Sequence, residues 1–534
     1  MITVLDCTLR DGGYCNDWNF GYENIIKIIN GLKTTGINYV ECGFLSKVSN
    51  CDTNKTIFND INELKHIIPK NEKKQKYLLM INYGEYCIED IPCRKYTNID
   101  GIRVSFHKKN QYEAIDFCSK IKEKGYAVFV QPMVCVNYNK EEFTELIESV
   151  NKLHLDAFYI VDSFGMMKHT ELLEYMKIAD DQLLDSIYLG FHAHNNLQLA
   201  FSNAQTFVET LYMRNLIVDV TIHGMGRGAG NLNSELFLDY LNEETKSRYS
   251  IQPILILMDE IISNYYARNS WGYNFPNYLA ASKKIHPNYA NYLSQKKTLT
   301  IEMMDKIFRM IHPNKKMEYD EAYIETLYIR KLSETHPKSL YSNLVSDISN
   351  KKVLLIAPGL SSANEKETII SFIMSNNPVV ISINYDYPHY NSSYIFISNM
   401  RRFRQLGNDV LYKTIITSNI ESSSFYAIVE YKSLLNDIPG VRDNAGLMAI
   451  QLMMNLNASE IFLAGFDGYN FNNYENYGSD SLTSINAKEQ LEMINAGLSQ
   501  ALCLYGRKCK IYSLTRFSNL SDCIELEKLY IKNV

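Results

Sequence analysis

The amino-acid sequence predicts an α/β protein in which an eight-stranded parallel barrel precedes a helical extension and a second parallel sheet. Short β-branched or apolar runs alternate with longer amphipathic stretches over roughly the first 240 residues. Eight such pairs match the strand count and length of a TIM (β/α)8 barrel, whereas a doubly wound sheet usually has fewer strands at a different spacing. Polar and ionisable residues also gather where these runs end, as in a barrel with its chemistry at one rim.

The predicted strands and helices alternate from the first residues onward. Strands are predicted at residues 2–7, 38–44, 77–81, 101–106, 126–134, 157–161, 187–191 and 218–222. Helices are predicted at residues 23–33, 112–124, 140–153, 170–179, 197–211 and 234–241. Apolar residues in the helical stretches recur with the period of a helix that buries one face, so the helices are expected to cover the barrel.

Beyond the barrel, the pattern of the chain changes twice. From about residue 269, short helical stretches with Pro breaks, such as IHPNYANYLSQKKTLTIEMMDKIFRMIHP, replace the alternation. The alternation restarts at Lys351 with the strand-like runs in KKVLLIAPGLSS, VVISIN, SYIFISN, VLYKTIITSN and SEIFLAGFDG. We therefore predict a barrel domain at 1–280, a helical extension at 281–348 and a Rossmann-like domain with a parallel sheet at 349–534.

Composition argues against several classes of protein. The net charge is only −6 and no Lys/Arg block stands out, so nucleic-acid binding is not expected. Eleven scattered cysteines without CxxC spacing indicate free thiols in a reducing compartment. No charged and apolar leader precedes the first strand, and no apolar run approaches the ~18 residues of a membrane span, so we expect a soluble, cytoplasmic protein. Tyr-rich helices in the extension are typical of packing or of contacts between copies, and we expect a homo-oligomer.

Ionisable side chains follow most of the predicted barrel strands. They are Arg10 and Asp11 after the first strand, Glu41 on the second, His107 after the fourth, Asp162 and Ser163 after the sixth, His192 and His194 on the seventh, and His223 with the run GMGRGAGN after the eighth. Because the carboxyl ends of barrel strands meet at one rim, the sequence predicts that these groups share one site.

The run GFHAHNN predicts a metal site. His192 and His194 are separated by one residue at the end of a strand, so both imidazoles can face the same centre. With Asp11 they form a mixed oxygen and nitrogen ligand set, which suits Mn²⁺ or Mg²⁺, or alternatively Co²⁺ or Fe²⁺, better than structural Zn²⁺. Asn231 is either a fourth ligand or a cap of the glycine-rich turn.

A divalent metal at this rim indicates chemistry on a 2-oxo acid. Such an ion can bind the carboxylate and keto oxygens and stabilise the enolate that remains when a C–C bond breaks. Arg10 cannot be deprotonated and is placed to hold the enolate oxygen. Glu41 either orients Arg10 or takes part in acid/base chemistry, and we favour orientation.

Four motifs in the barrel half carry a family resemblance. They are TLRDG at 8–12, VECGF at 40–44, HAHNN at 192–196 and GRGAGN at 226–231. Together they resemble the DRE-TIM metallolyase family, which contains 4-hydroxy-2-oxovalerate aldolase, hydroxymethylglutaryl-CoA lyase and isopropylmalate synthase. The resemblance implies that Asp11, His192, His194 and Asn231 bind the metal and that Arg10 stabilises the enolate. GFHAHNNLQLA and VDSFGMM are most similar to the aldolase branch, which implies chemistry on pyruvate.

The general base differs from that branch. Those aldolases carry a histidine three residues after the motif aspartate, where this chain has Tyr14. Tyr14 either relays a proton or only shapes the pocket. His107 and His223 are alternative bases, and each is equally consistent with a structural role.

The second sheet carries a weaker resemblance. The run DNAGLMAIQLMMNLNASEIFLAGFDGY, with VLLIAPG, SIN and FISN before it, is similar to bacterial sialyltransferases and related Rossmann-like proteins of surface-polysaccharide loci. In such folds the loops after the strands bind a nucleotide or nucleotide sugar. The candidate contacts are Gly359, Ser361, Asn384, Asn399 and Asp467. The turn at 358–362 either holds a phosphate or is an ordinary strand-to-helix turn. Those transferases use a catalytic histidine in the second half of the domain, and no histidine follows His389, which favours binding over transfer.

The sequence thus predicts a metal-dependent aldolase or lyase that forms or cleaves a C–C bond through a pyruvate-type enolate. Its expected substrates are a 2-oxo acid and an aldehyde or sugar. A nucleotide-linked sugar on the second domain would connect the chemistry to surface polysaccharide biosynthesis. The alternatives are a Claisen-type acyl-CoA lyase or synthase, and a non-catalytic barrel that scaffolds the second domain.

Overall fold

The computed structural model describes residues 1–47, 52–68, 75–334, 341–484, 486–520 and 524–531. The chain forms two compact units, Met1–Ala290 and Asn291–Val534. The first unit holds a closed barrel and the second an open sheet, and all strand pairs within both are parallel. The nine cysteines of the described residues are all free thiols. Within the same residues, no helix is both long enough and apolar enough to cross a membrane.

Eight parallel strands close the barrel of the first unit. They are β1 (Ile2–Asp6), β2 (Tyr39–Leu45), β3 (Lys76–Asn82), β4 (Gly101–Phe106), β5 (Ala127–Pro132), β6 (Ala157–Asp162), β7 (Tyr188–Ala193) and β8 (Leu216–Val220). Each pairs with the next strand along the chain, and β1 also pairs with β8, with Ile2 opposite Leu216. A two-residue strand, Ile57–Phe58, joins the outer side of β2. The predicted TIM barrel is confirmed.

Burial explains why these segments form strands and helices. Strands β2, β4 and β6 are buried along their whole length, as expected for parallel strands with helices on one face and a packed interior on the other. Helix Tyr22–Thr35 buries Ile25, Ile28, Ile29 and Leu32, which recur with the helical period, and it ends at Gly36, whose φ of +88° is the left-handed cap that glycine favours.

The α-helices of the first unit begin with a single turn after β1 and then cover the barrel. They are Thr8–Asp11, Tyr22–Thr35, Gln111–Glu123, Lys140–Lys152, His169–Gln182, Ala200–Thr210, Ser234–Glu244, Gln252–Leu257, Ser263–Arg268 and Phe275–Ser282. The next helix, Pro287–Gln295, contains the boundary between the two compact units. β7 extends to Ala193 and so includes His192, whereas β8 ends at Val220, two residues before its predicted end, and His223 lies in the loop that follows.

Helices fill the described part of the predicted extension. After Pro287–Gln295 come Ile301–Met310, Glu321–Leu332 and Ser342–Ile348, and no strand lies within residues 281–334 or 341–348. Residues 335–340 of the predicted extension lie outside the described residues. The three-part division of the chain stays a prediction, because the compact units separate at 290/291 and not at both predicted boundaries.

The second sheet has seven parallel strands. They are β9 (Lys352–Ile356), β10 (Val379–Ile383), β11 (Tyr394–Ile397), β12 (Thr414–Thr417), β13 (Ala427–Val429), β14 (Glu460–Ala464) and β15 (Ile511–Ser513). Their spatial order is β13-β12-β11-β10-β9-β14-β15, so the order reverses between β9 and β14. Its α-helices are Ser361–Asn364, Lys366–Asn376, Met400–Phe403, Ala445–Asn455, Lys488–Lys508 and Ile524–Glu527. A reversal of this kind opens a crevice at the carboxyl ends of the two strands.

Candidate metal centre and active site

Three predicted ligands meet at the carboxyl end of the barrel. Asp11 ends the helical turn after β1, His192 lies on β7, and His194 follows the end of β7. The Nε2 atom of His192 lies 3.1 Å from Asp11 Oδ2, and that of His194 lies 3.5 Å from the same oxygen. One donor atom from each residue lies within 4.8 Å of the other two, and all three side chains are buried. This spacing fits three ligands around one cation.

The unpaired polar atoms at this point also fit a cation. Among the described residues, Asp11 Oδ1 and Asn231 Oδ1 are both buried and accept no hydrogen bond. A buried oxygen without a donor is costly unless an ion binds it. Asn231 pairs through its backbone with His194, and its Nδ2 donates to the Met225 carbonyl at 3.2 Å, which leaves Oδ1 as the available ligand atom. The chain therefore presents an oxygen and nitrogen donor set of the type that Mn²⁺ and Mg²⁺ bind.

Glycine is required beside this asparagine. A Cβ atom on Gly226 would lie 2.1 Å from Asn231 Nδ2. Asn196 fixes the same loop, because its Oδ1 accepts a hydrogen bond from Ala229 N at 2.8 Å and its Nδ2 donates to the Phe164 carbonyl at 2.9 Å. The motifs HAHNN and GRGAGN thus position Asn231 together.

A ring of buried charged side chains, here called the ionic ring, surrounds the metal ligands. Its members in order of contact are Asp11, Arg10, Glu41, Arg103, Asp219 and His192. It contains three carboxylates and two guanidinium groups, so one negative charge remains when His192 is neutral. A cation at Asp11 compensates that charge, and buried charges are stable only when they are paired.

The ionic ring fixes the positions of two predicted site residues, His192 and Arg10. His192 Nδ1 donates to Asp219 Oδ2 at 2.9 Å, which leaves Nε2 as the ligand atom. Arg10 Nε donates to Glu41 Oε2 at 2.8 Å, and Arg103 Nη1 donates to the same oxygen at 2.8 Å. Glu41 is buried behind the two guanidinium groups, so its position fits orientation of Arg10 better than contact with a substrate.

The pKa values of the ligands follow from this surrounding. Burial raises the pKa of Asp11, but Arg10, His194 and His192 outweigh burial and hold it well below its usual range. Burial lowers the pKa of His194 to about 4, so its imidazole is neutral at pH 7. Burial also lowers the pKa of His192, whereas its hydrogen bonds to Asp11 and Asp219 raise it above the ordinary value. A cation at this position competes with the proton on His192, as in other histidine sites.

A cavity of about 320 Å³ lies next to the ligands. Seven residues that the sequence placed at this rim line it, namely Arg10, Asp11, Tyr14, His107, Ser163, His192 and His194. Desolvation raises the pKa of Tyr14, which disfavours the phenolate that a tyrosine base requires. His107 remains a candidate base on position alone.

His223, like Glu41 and Asp162, is a predicted rim residue that does not line the cavity. Its backbone has a φ of +56°, and its ring packs against Tyr266 at 5.2 Å and Trp271 at 5.8 Å between ring centroids. His223 is absent from the residues that line the cavity. The loop places this side chain in an aromatic cluster, which favours the structural role of His223, and its role as a base stays a prediction.

Sequence reasoning did not assign roles to four residues that the structure places at the site. Arg103 and Asp219 belong to the ionic ring, and Arg227 and His286 line the cavity. The available signal for Arg103 and Asp219 was a charge inside an apolar strand, in GIRVSF and LIVDV. Arg227 lies in the motif GRGAGN, and His286 lies beyond the predicted barrel boundary at 280.

A second, smaller cavity of about 110 Å³ lies in the second unit, at the carboxyl ends of β9, β10 and β14. Gly359, Asn384 and Asp467 line it, as does Arg402, which the sequence did not single out. Asn384 has a φ of +62°, and its Oδ1 is buried without a hydrogen bond in the described residues. These groups lie at the point where the strand order reverses.

Two of the five predicted nucleotide contacts do not line this second cavity. The Ser361 backbone N–H donates to Asp467 Oδ2 at 2.7 Å, and the Ser361 hydroxyl donates to Asp467 Oδ1. Burial raises the pKa of Asp467, and the bonds from Ser361 only partly offset that rise. Asn399 caps helix Met400–Phe403 by accepting from Arg402 N at 3.0 Å. Ser361 and Asn399 therefore stabilise local turns in this structure, and their role as nucleotide contacts stays a prediction.

Comparison with known proteins agrees with the barrel site. The family model described as HMGL-like matches residues 1–255. A 4-hydroxy-2-oxovalerate aldolase of Geobacillus thermodenitrificans is 22% identical over 264 residues, which are 49% of this chain and 76% of the relative. Another, of Pelotomaculum thermopropionicum, is 28% identical over 244 residues, which are 45% of this chain and 70% of the relative.

Among solved structures, hydroxymethylglutaryl-CoA lyase from Pseudomonas aeruginosa aligns at 13% identity with a TM-score of 0.41, over 50% of this chain and 94% of that chain. The family match, the relatives and the ligand geometry place the barrel among metal-dependent carbon–carbon lyases. Residues 1–255, which form the barrel half of the chain, match the HMGL-like family over that range.

Proposed function

We propose that the barrel is an aldolase or lyase that forms or cleaves a C–C bond next to the keto group of a 2-oxo acid, through a pyruvate-type enolate. The observation that carries this proposal is the position of Arg10. Its buried guanidinium contacts both Asp11, at 3.1 Å, and Glu41, and it lines the same cavity as the metal ligands. A guanidinium that is fixed at this place stabilises the negative charge that develops on an enolate.

The ionic ring lets this chain stabilise charge without rearrangement. Glu41 holds the Nε side of Arg10, so the guanidinium is already oriented when substrate arrives. Asp219 holds His192 in the tautomer that keeps Nε2 free of a proton. When bound, a divalent cation would supply a Lewis acid for the carboxylate and keto oxygens of the 2-oxo acid.

The proton is removed from the methyl carbon by a group that lines the cavity. We assign this role to His107, with Tyr14 shaping the pocket, because His107 and the metal ligands line one cavity and the pKa of Tyr14 is raised. Mn²⁺ or Mg²⁺ is the proposed metal, and Co²⁺ or Fe²⁺ also suits a donor set without thiolate.

The second unit has a proposed binding role. Its cavity lies at a reversal of strand order, where open parallel sheets bind nucleotides, and Arg402 lines it. A nucleotide-linked sugar bound there would connect the lyase to surface polysaccharide biosynthesis in the cytoplasm. Titration of the full chain with uridine diphosphate tests this role, since Arg402→Met should weaken binding at least ~10-fold if the cavity takes the diphosphate.

Deuterium exchange of pyruvate tests the barrel proposal. Mass spectrometry of pyruvate in D₂O should show exchange at the methyl group with protein and Mn²⁺, and none after chelation. Arg10→Ala should lower the exchange rate by about 10²–10³-fold, the usual loss for one donor to a developing oxyanion. His192→Ala should remove metal-dependent exchange.

Matched variants separate chemistry from general damage to the protein. Arg248 and His169 are exposed on the barrel, so Arg248→Ala and His169→Ala should exchange like the unchanged protein. Exchange of the acetyl group of acetyl-CoA, with none of pyruvate, would replace this proposal by Claisen-type acyl-CoA chemistry. Failure of the purified protein to retain metal and to exchange either compound would support the scaffold alternative.

A further inference from the structure

Arg227 lies in the glycine-rich loop after β8, and its side chain lines the barrel cavity with the metal ligands. The side chain is half-buried and is held at two places. Its Nη2 donates a hydrogen bond to Asn288 Oδ1, and its guanidinium lies 5.4 Å from the centroid of the Tyr14 ring. These contacts fix the Arg227 guanidinium at the cavity wall before any substrate binds.

The charge of Arg227 is not neutralised by a neighbouring acid. Within the described part of the chain, no carboxylate oxygen lies within 4.0 Å of its guanidinium, whereas Arg10 and Arg103 each contact two carboxylates. Glu85 also lines the cavity, and its Oε1 accepts from Asn82 Nδ2 at 3.0 Å. A half-buried guanidinium without an acid partner favours an anion from solution.

The histidine beside Arg227 adds no charge to this wall of the cavity. His286 lines the same wall, and burial, then Arg227 and His107, lower its pKa to about 3, so it is neutral at pH 7. A guanidinium has five N–H donors, and the hydrogen bond to Asn288 uses one. The remaining donors suit a carboxylate or phosphate, which accept in pairs. Anchoring the loop to Asn288 therefore does not account for the whole side chain.

We propose that Arg227 binds an anionic group, a carboxylate or a phosphate, on the second substrate of the barrel. This inference rests on the proposed function, and it makes the acceptor an acidic aldehyde and not a neutral short-chain aldehyde. The methyl carbon of pyruvate loses one proton and bonds to the aldehyde carbon, whose oxygen takes up one proton, so no oxidant or reductant is needed. A cavity of about 320 Å³ is near the lower end of the ~300–1,000 Å³ of small-molecule sites, which suits two small substrates.

Binding of unreactive analogues tests the anion site without requiring turnover. The full chain, loaded with Mn²⁺, is titrated by calorimetry with glycerol 3-phosphate, 4-hydroxybutyrate and neutral glycerol. We expect one of the two anions to bind with saturation, glycerol not to bind, and Arg227→Met to weaken the anion at least 10-fold. The stronger anion distinguishes a phosphate from a carboxylate. Equal affinity in the unchanged protein and Arg227→Met, or no saturable binding of either anion, overturns the inference.

Two further variants keep the result interpretable. Arg227→Lys retains the charge but not the paired donors, so it should recover part of the affinity that Arg227→Met loses, which shows that the loop still folds. Arg248→Met changes an exposed arginine and should not alter affinity. If Arg227→Lys loses as much affinity as Arg227→Met, charge is not what binds the anion and the inference fails.

A kinetic readout separates this inference from the proposed function. The ratio of kcat/KM for glyceraldehyde 3-phosphate over glyceraldehyde, or for succinic semialdehyde over butanal, should fall at least 10-fold in Arg227→Met. If the protein exchanges deuterium into pyruvate but binds the anion equally well in Arg227→Met, only the anion site is overturned. Binding that depends on Arg227 in a protein that exchanges no deuterium overturns the enolate chemistry alone and leaves the anion site standing.

Discussion

The barrel cavity and the cavity of the second sheet both lie at the carboxyl ends of parallel strands, but they differ in how their polar atoms are used. In the barrel, Asp11 Oδ1 and Asn231 Oδ1 are buried without a donor beside two histidines. In the second sheet, Asp467 accepts twice from Ser361, and Asn444 accepts from Gly446 N and Leu447 N as a helix cap. The barrel keeps ligand atoms available, and the second sheet uses most of its polar atoms in turns.

The difference shows which buried polar side chains indicate a ligand site and which have a structural role. A buried carboxylate or amide oxygen that accepts no hydrogen bond is costly unless an ion binds it, so it indicates a ligand. An aspartate or asparagine that caps a helix has an ordinary structural reason to be present. In the second cavity, Asn384 is the exception, since its Oδ1 is buried without a donor among the described residues. Variants that remove one side chain from each region test this contrast.

The largest effect is expected for Asp11→Asn. The amide keeps the shape of the side chain but removes the charge that a cation requires, so Mn²⁺ binding should be lost and pyruvate exchange should fall more than ~1,000-fold. Asp259→Asn changes an exposed acid of the same unit and serves as the control. Mn²⁺ binding is followed by electron paramagnetic resonance. Retention of full Mn²⁺ affinity in Asp11→Asn would contradict the assignment of the ligand.

Arg103→Met should destabilise the barrel by about 3–5 kcal/mol, because Glu41 and Asp219 would remain buried without their shared partner. Urea unfolding followed by circular dichroism measures the loss. Arg103→Lys restores one positive charge and should recover part of it. A loss below about 1 kcal/mol in Arg103→Met would show that the ionic ring is not needed to balance these carboxylates.

Asp219→Asn should weaken Mn²⁺ binding about 10–100-fold, the usual range for a residue that orients a ligating histidine. The variant leaves the three predicted ligands of the metal in place, so the fall in affinity reports what Asp219 contributes through His192 and through the charge of the ionic ring. Asp239→Asn, on the exposed face of helix Ser234–Glu244, is the matched control. An unchanged affinity in Asp219→Asn would mean that the hydrogen bond to His192 has no role in binding.

The smallest effect is expected in the second sheet. Ser361→Ala removes the hydroxyl donor to Asp467 and should lower stability by about 1–3 kcal/mol. Affinity for uridine diphosphate should change less than ~2-fold, because Ser361 does not line the cavity. Calorimetry and urea unfolding of the same protein measure the two quantities. A large loss of nucleotide affinity with unchanged stability would restore Ser361 as a ligand contact.

The barrel could be predicted, and its candidate metal ligands proposed, because their signals are local in the sequence. Apolar runs at regular spacing give the strands, and alternate histidines on one strand must face the same side. Arg103 and Asp219 could not be assigned in this way, since their strands lie apart in sequence and only the closed barrel pairs them. The β10–β11 pair, by contrast, needed only the neighbouring apolar runs VVISIN and SYIFISN.

Loops and caps mark where sequence reasoning stopped. His223 follows a predicted strand end, but a left-handed residue turns its side chain away from the cavity, and spacing does not reveal that turn. His286 lines the cavity from a stretch that reads only as a helical extension. Ser361 and Asn399 look like ligand residues in a strand-end loop, because helix caps and phosphate contacts use the same side chains.

The most direct test of the proposed enolate chemistry is the rate of pyruvate deuterium exchange as Mn²⁺ is added to protein from which a chelator has removed the metal. We predict no exchange without metal and an exchange rate that saturates at one Mn²⁺ per chain, because Asp11, His192 and His194 form one candidate centre. Exchange at the full rate in the chelated protein, or no exchange when one Mn²⁺ is bound, would contradict it.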